Sequence, residues 1–460
     1  MSPVAPRLAA LVEGVLGACL PVRLRAWDGS EAGPAGPGPV AVVRHRRALR
    51  RLLWNPGELG LARAFVAGEL DVEGDLAEGL SRFWKLGRTA PVSLTTTDRL
   101  AALRTAAALG AIGPRPRPPA TEARLSGGLH TRRRDRAAIT HHYDLSNAFY
   151  EFLLDPQMAY SCGYWTRDAV EGYGLEQAQR DKLELICRKL DLRPGMRLLD
   201  VGCGWASLLI HAARHHGVTS VGVTLSAEQR AYGLKRVREL GLTDRVEIRL
   251  QDYREIGVNS ADPPFDAIAS IEMGEHVGQD NYPLYAAQLQ RLVLPHGRVL
   301  LQQMSRGASG SNSVPGGGAF MASYVAPDMY MRPLGETLCF LEAAGLEIVD
   351  VHSLREHYVR TIRPWLDTLQ RRRTDAVTLI GEEQYRVWLL YLAGAALAFA
   401  ENRMGVHQVL LVRPDADGRS GLPRSRAATL GADPALDRLA ADVRPGELDP
   451  ARAPIPSPRG

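Results

Sequence analysis

Between residues 196 and 304, short apolar blocks alternate with longer stretches whose apolar residues recur three and four positions apart. MRLLDVG reads as a strand closing on a glycine, and WASLLIHAARHHG as a helix that stops at Gly217. TSVGVTL is a second strand. SAEQRAYGLKRVRELGL follows as a helix capped by Ser226, whose hydroxyl can accept from an otherwise unpartnered first-turn N–H. VEIRLQD, FDAIASIEM and GRVLLQQM supply three more strands between helical segments. Such alternation buries both faces of a parallel sheet, so residues 140–413 are expected to form a doubly wound, Rossmann-like α/β domain.

The flanking sequence has a different texture. LAALVEGVLGACL is helical in period, a Gly/Pro-rich turn leads into the short strand AVV, and RHRRALRRLLW is a basic amphipathic helix; residues 1–110 are read as a smaller unit. Residues 111–139 are rich in Pro, Gly and Arg and read as a linker, and 414–460 as a disordered tail. The first apolar stretch is interrupted by Glu13 and lacks the pattern of a signal peptide. The longest apolar run, LLYLAGAALAFA (389–400), is too short to cross a bilayer, so any membrane contact is expected to be peripheral.

Charge adds a little to this picture. The formal net charge of +5 suits an anionic partner without naming one. Nearly all the cations are arginines, the lysines being Lys85, Lys182, Lys189 and Lys235, which fits a GC-rich coding bias. Arg132, Arg133, Arg134 and Arg136 are either a solvated run or a phosphate contact at a membrane surface. Cys19, Cys162, Cys187, Cys203 and Cys339 are scattered, without CxxC spacing, which favours a reducing cytoplasm over a disulfide framework or a zinc site. No metal is expected, because the side chains of the adjacent pairs His141-His142 and His215-His216 should diverge.

LLDVGCGWA (198–206) ends a strand and opens a helix, and Gly202 and Gly204 let backbone approach a ligand. A dinucleotide fingerprint would need glycine at 207, where Ser207 stands. The D-x-G-x-G form suits S-adenosylmethionine instead. Thr224 and Leu225 end the second strand where a ribose would lie, with Gln229 one turn on. Asp252 and Tyr253 end the third at the adenine position. DPPF (262–265) imitates the box of nucleic-acid adenine methyltransferases. It precedes a strand where that box must follow one, so no nucleic-acid substrate is expected.

The segment MAYSCGYW (158–165) crowds aromatic rings around a thiol. With HHYDLSNAFYEFLLDPQMAYSCGYW (141–165), LLDVGCGWASLLIHAA, GVTLSAEQ, SIEMGEHVG (270–278) and EHYVRTIRPWLDTL (356–369), the chain resembles the cyclopropane-fatty-acyl-phospholipid synthase family from about 45 to 413. The resemblance implies a class I methyltransferase domain, a lipid-associated N-terminal domain, and methyl transfer from S-adenosylmethionine to a cis double bond of a phospholipid acyl chain. An alkene has no proton to remove beforehand, so the site must instead shelter a carbocation and then supply a base. Aromatic faces contribute about 1–2 kcal/mol each to a desolvated cation.

In the family that base is a bicarbonate ion. The resemblance places around it Cys162 (through its backbone), Glu275, Gln302, Met304 (backbone) and Tyr358, with Tyr160 and Ser161 on the cofactor side. His276 is read as structural. Two positions depart from the cyclopropane makers, which carry His where this chain has Gln302 and Ile where it has Met304. Gln302 cannot take up a proton. LLQQMSR with IEMGEHVG resembles the branch making 10-methylene acyl chains, which implies a mid-chain methylene product. A cyclopropane product and a soluble small-molecule methyltransferase stand as alternatives. The implied partners are unsaturated phospholipid acyl chains at the inner membrane face and a reductase for the methylene product; a homodimer is left open.

Overall fold

The computed structural model describes residues 3–89, 96–123, 127–135, 146–170, 172–258, 263–307 and 318–426. The N-terminal unit opens with a helix over Val4–Leu16 and carries the strands β1 (Arg23–Arg25), β2 (Glu31–Ala32), β3 (Val40–Val43) and β4 (Leu70–Glu73). These form a small sheet in the order β2-β1-β3-β4, with the basic helix Arg47–Trp54 and the helix Glu58–Val66 lying between β3 and β4 in the chain.

The larger domain contributes β5 (Arg197–Val201), β6 (Thr219–Thr224), β7 (Val246–Leu250), β8 (Phe265–Ile271), β9 (Val293–Arg306), β10 (Glu347–Ser353) and β11 (Met404–Val412). Their order is β10-β11-β9-β8-β5-β6-β7. Strands β5 to β9 run parallel, and β11 inserts antiparallel between β9 and β10. The inner strands β5, β6 and β8 are buried along most of their length, which is why they read as continuous apolar runs. Strand order reverses beside β5, and a crevice opens there at the carboxyl ends of the strands. Ser226 caps the helix Ala227–Glu239 by accepting from Gln229 N, and Gly217 ends the helix Ser207–His216 at φ 66°, both as read from the sequence. The apolar run 389–400 is the latter part of a helix, Arg373–Ala400, interrupted at Gly381; no described helix is long and apolar enough to cross a membrane.

Contacts across residues 111–135 differ from those of a free linker. Ala120 N donates to Glu383 (3.0 Å), Ala123 N to Ser323 O (2.7 Å), and Glu122 pairs with Arg63. Arg132 pairs with Glu255 (2.7 Å) and Arg134 makes a two-pronged contact with Asp328. Those two arginines therefore pair with the protein's own acids, Arg132 while still largely exposed; Arg136 lies outside the described residues. Of the expected disordered tail, residues through Arg426 return to the sheet, with Asp415 on His296 and Arg426 on Asp350, and 427–460 lie outside the described residues.

The two units share an apolar seam in which Ala62 and Val66 meet Phe320, Tyr324, Met329, Met331 and Val387. Arg386 bolts it. Its buried guanidinium donates to Phe65 O and Leu70 O and pairs with Asp71, all across the seam. Arg386→Ala would strand those acceptors and should cost about 2–4 kcal/mol. The expected outcome is a lower thermal midpoint, with proteolysis separating the N-terminal unit before the larger domain unfolds.

Candidate active site

The cofactor residues read from the sequence come together. Tyr160, Ser161, Gly202, Gly204, Thr224, Leu225, Gln229, Asp252 and Tyr253 all line one cavity in the crevice. Gly202 has φ 86°, and a Cβ there would meet the Met273 side chain at 2.8 Å, so both backbone angle and space demand glycine. Thr224 Oγ1 donates to Gln229 Oε1 (2.9 Å), which fixes the end of β6. Asp252 is held by Arg254, which also grips Asp135 (2.8 Å), and Asp135 and Asp328 complete the cavity wall. Burial raises Asp200, on the cavity floor, to about 7, with the Lys182 charge opposing. Lys182 is buried and donates to Ser161 Oγ (2.8 Å).

MAYSCGYW is pinned along its length. Gln179 donates to the carbonyls of Ala159 and Ser161 (3.1 and 2.9 Å), and Thr361 Oγ1 accepts from Gly163 N (3.0 Å). Tyr160 joins Tyr150, Trp365 and Trp388 at ring-centre distances of 5.4–6.0 Å, and Trp205 lies 4.6 Å from Tyr150. The Cys162 thiol faces carbonyls of Gly163 and Leu354, and burial pushes its pKa well up. It is a packed, protonated thiol and no nucleophile.

The residues expected around an anion divide into two groups. Cys162 N, Gln302 Nε2 and Tyr358 OH all donate to one carboxylate, that of Glu272, at 2.8, 2.8 and 2.6 Å. Gln302 also donates to Cys162 O (3.2 Å), and its own oxygen accepts from Gln408 (3.1 Å), so its amide is oriented from both sides. Glu275 and Met304 pair with each other instead: Met304 N donates to Glu275 Oε1. Burial and the neighbouring Glu272 charge raise Glu275 to about 8. Burial drives His276 down to about 4, so its imidazole is neutral.

Glu272 was not singled out from the sequence. It follows a buried strand in SIEMGEHVG, where a lone carboxylate reads as a solvated strand end. Its φ of 52°, rare outside glycine, turns the side chain inward. Three of the donors expected to hold bicarbonate are thus occupied by Glu272, and the fourth, Met304 N, by Glu275. A second anion among them would compete for the same hydrogens and be repelled. The described site does not fit a bicarbonate, which corrects that expectation. Elsewhere, His211 and His216 both contact Glu184 (3.2 and 3.1 Å) near Cys187, whose thiol burial keeps protonated.

Residues 130–409 match the family described as mycolic acid cyclopropane synthetase. The chain is 38% identical to a probable fatty acid methyltransferase of Pseudomonas putida, over 88% of this chain and 95% of that one. It is 32% identical to a tuberculostearic acid methyltransferase of Mycobacterium tuberculosis, over 86% and 88% of the two chains. Among solved structures, a mycolic acid cyclopropane synthase complexed with SAH and CTAB aligns with a TM-score of 0.56 at 30% identity. That alignment covers 60% of this chain and 97% of the other.

Because Glu275 holds its proton more tightly in the fold than when exposed, the stabilisation is full below about pH 4.5 and is lost as pH rises through about 8. Glu275→Gln keeps an acceptor for Met304 N and has no proton to lose. Relative to this variant, the wild type should lose about 3 kcal/mol between about pH 6 and about pH 9. Paired unfolding curves across that range measure it, and parallel pH profiles would show that Glu275 does not titrate there.

Proposed function

The chain belongs to the mycolic acid cyclopropane synthetase family and is an S-adenosylmethionine-dependent methyltransferase of lipid acyl chains; from this premise we propose that it methylates the cis double bond of an unsaturated phospholipid acyl chain and forms a 10-methylene product. The observation that carries this reading is the continuity of MAYSCGYW. Tyr160 and Ser161 line the cofactor cavity, and the next residue, Cys162, donates its N–H to the half-buried carboxylate of Glu272 beside an aromatic cluster. Bound S-adenosylmethionine supplies an electrophilic methyl group.

The alkene π pair forms the new C–C bond while the sulfonium–methyl bond breaks, leaving a cation on the adjacent carbon. The faces of Tyr160, Trp365 and Trp388 suit such a charge, and their packing excludes water that would trap it. A hydride shift moves the charge to the methylated carbon, and loss of a methyl proton gives the exocyclic alkene; loss before the shift closes a cyclopropane. Gln302, fixed between Gln408 and Glu272, cannot take up a proton and so gives early closure no help. The likeness to a tuberculostearic acid methyltransferase also supports the methylene product. Bicarbonate has no part in this reading, since Glu272 and Glu275 occupy its donors.

Met304, Tyr391 and Met404 border both the aromatic enclosure and the apolar seam with the N-terminal unit, which suits a path for an acyl chain. Trp54 on that unit and Ile112 just after it are 52% and 56% exposed, with Arg46 and Arg47 also exposed. Trp54 Nε1 is tied to Gly113 O (3.1 Å) and Arg50 to Ile112 O (3.2 Å), so the apolar pair is one patch. Such a patch suits peripheral binding at the cytoplasmic face of an anionic membrane. A reductase acting on the methylene chain is the proposed downstream partner.

Expression in a host with oleoyl phospholipids should yield fatty acids heavier by one methylene unit. Catalytic hydrogenation under mild conditions should convert them to 10-methyl chains. A product resistant to that treatment would establish cyclopropane formation instead. Trp54→Ala with Ile112→Ser should reduce flotation with anionic vesicles several-fold; unchanged flotation would place the membrane contact elsewhere.

A further inference from the structure

We propose that Glu272 is the proton acceptor of the reaction, a carboxylate built into the chain where an external anion would otherwise be recruited. The inference rests on the methyl-transfer reading above and names the group that completes it. Glu272 lines the cofactor cavity together with Tyr160, Gly202 and Asp252, so it borders the place from which the methyl group is delivered. Its two oxygens take three donors from separate parts of the fold: a loop N–H, a strand amide and a helix hydroxyl. Its backbone is equally determined, with φ 52° and a hydrogen bond from Glu272 N to Gln302 O (2.6 Å). A non-glycine residue in that conformation is strained, and the surrounding bonds hold it there.

Three groups close to Glu272 are unsuited. The Cys162 thiol is protonated and turned to carbonyls, and His276 is a weak base. Glu275 is not among the cavity-lining residues, and one of its oxygens is committed to Met304 N. Burial raises Glu272, while Tyr358, the Cys162 N–H and Gln302 act to keep it ionised, a balance that leaves a carboxylate more basic than one in water.

The step balances. The C–H pair of the added methyl group becomes the second bond of the C=CH2 group, the cation is discharged, and Glu272 becomes a carboxylic acid. The sulfonium has become a thioether, so one positive and one negative charge disappear together. Water returns the proton to bulk after product leaves.

Glu272→Gln retains shape and loses basicity; Glu272→Gly removes the side chain at a φ that glycine adopts without strain. With oleoyl phospholipid vesicles, wild-type turnover should be the same in carbonate-free buffer and with added bicarbonate. Glu272→Gln should lose at least about 100-fold in both, while cofactor affinity measured by calorimetry stays close to wild type. Glu272→Gly should be equally slow without bicarbonate and regain at least about tenfold with it. Titration with 13C-labelled bicarbonate should show a bound resonance in Glu272→Gly and none in the wild type. Near-normal turnover in Glu272→Gln, a wild type that binds and requires bicarbonate, or a Glu272→Gly protein that takes up none would each overturn the proposal. If the wild type methylates no unsaturated lipid, the functional reading falls, and the labelled titration still decides whether Glu272 fills an anion site.

Discussion

A half-buried carboxylate beside aromatic rings loses much of its water and must replace it with hydrogen-bond donors from the chain. Glu272 meets that demand by drawing on Cys162 N, the Gln302 amide and the Tyr358 hydroxyl. Those donors belong to the loop over 158–165, to β9 and to the helix Arg355–Arg371. Satisfying one side chain thus brings three distant segments together beside the cofactor cavity. The aromatic enclosure follows from that meeting, since Tyr160 and Trp365 flank two of the donors and face each other at 5.4 Å.

The fit between donor and acceptor has an electrostatic logic. A sulfonium approaching this site enters a cavity lined by the carboxyl groups of Asp200 and Glu272, with the opposite charge of Lys182 close to both. Both charges of the reacting pair vanish in the product. The enclosure can therefore stay dry throughout, because the reaction never leaves it with a net charge to hydrate.

The cofactor half of the site was legible because its signals are local. A glycine turn after a strand, and polar residues at two further strand ends, need no knowledge of the rest of the chain. The parallel strands were legible for the same reason, each being a short apolar block. Glu272 was hidden because its role depends on a left-handed backbone angle and on partners from three segments. β11 was hidden too, although its register sets Gln408 opposite Gln302 and so orients the amide. Arg132 and Arg134 look like a solvated run until the fold sets Glu255 and Asp328, 123 and 194 positions away, against them. Charge runs reveal their partners only through tertiary contact.

The grip of Arg254 on Asp135 bears on where the catalytic unit begins. Composition would put the start of the larger domain near 140, beyond the basic stretch. Yet His130 O accepts from Arg254 and Asn281, Arg134 is locked to Asp328, and Asp135 forms part of the cavity wall. A chain trimmed at 140 would keep every strand of the sheet and lose one side of the chamber in which S-adenosylmethionine must sit. The smallest autonomous methyl-transfer fragment therefore reaches back past His130, into sequence that composition alone would discard as a spacer.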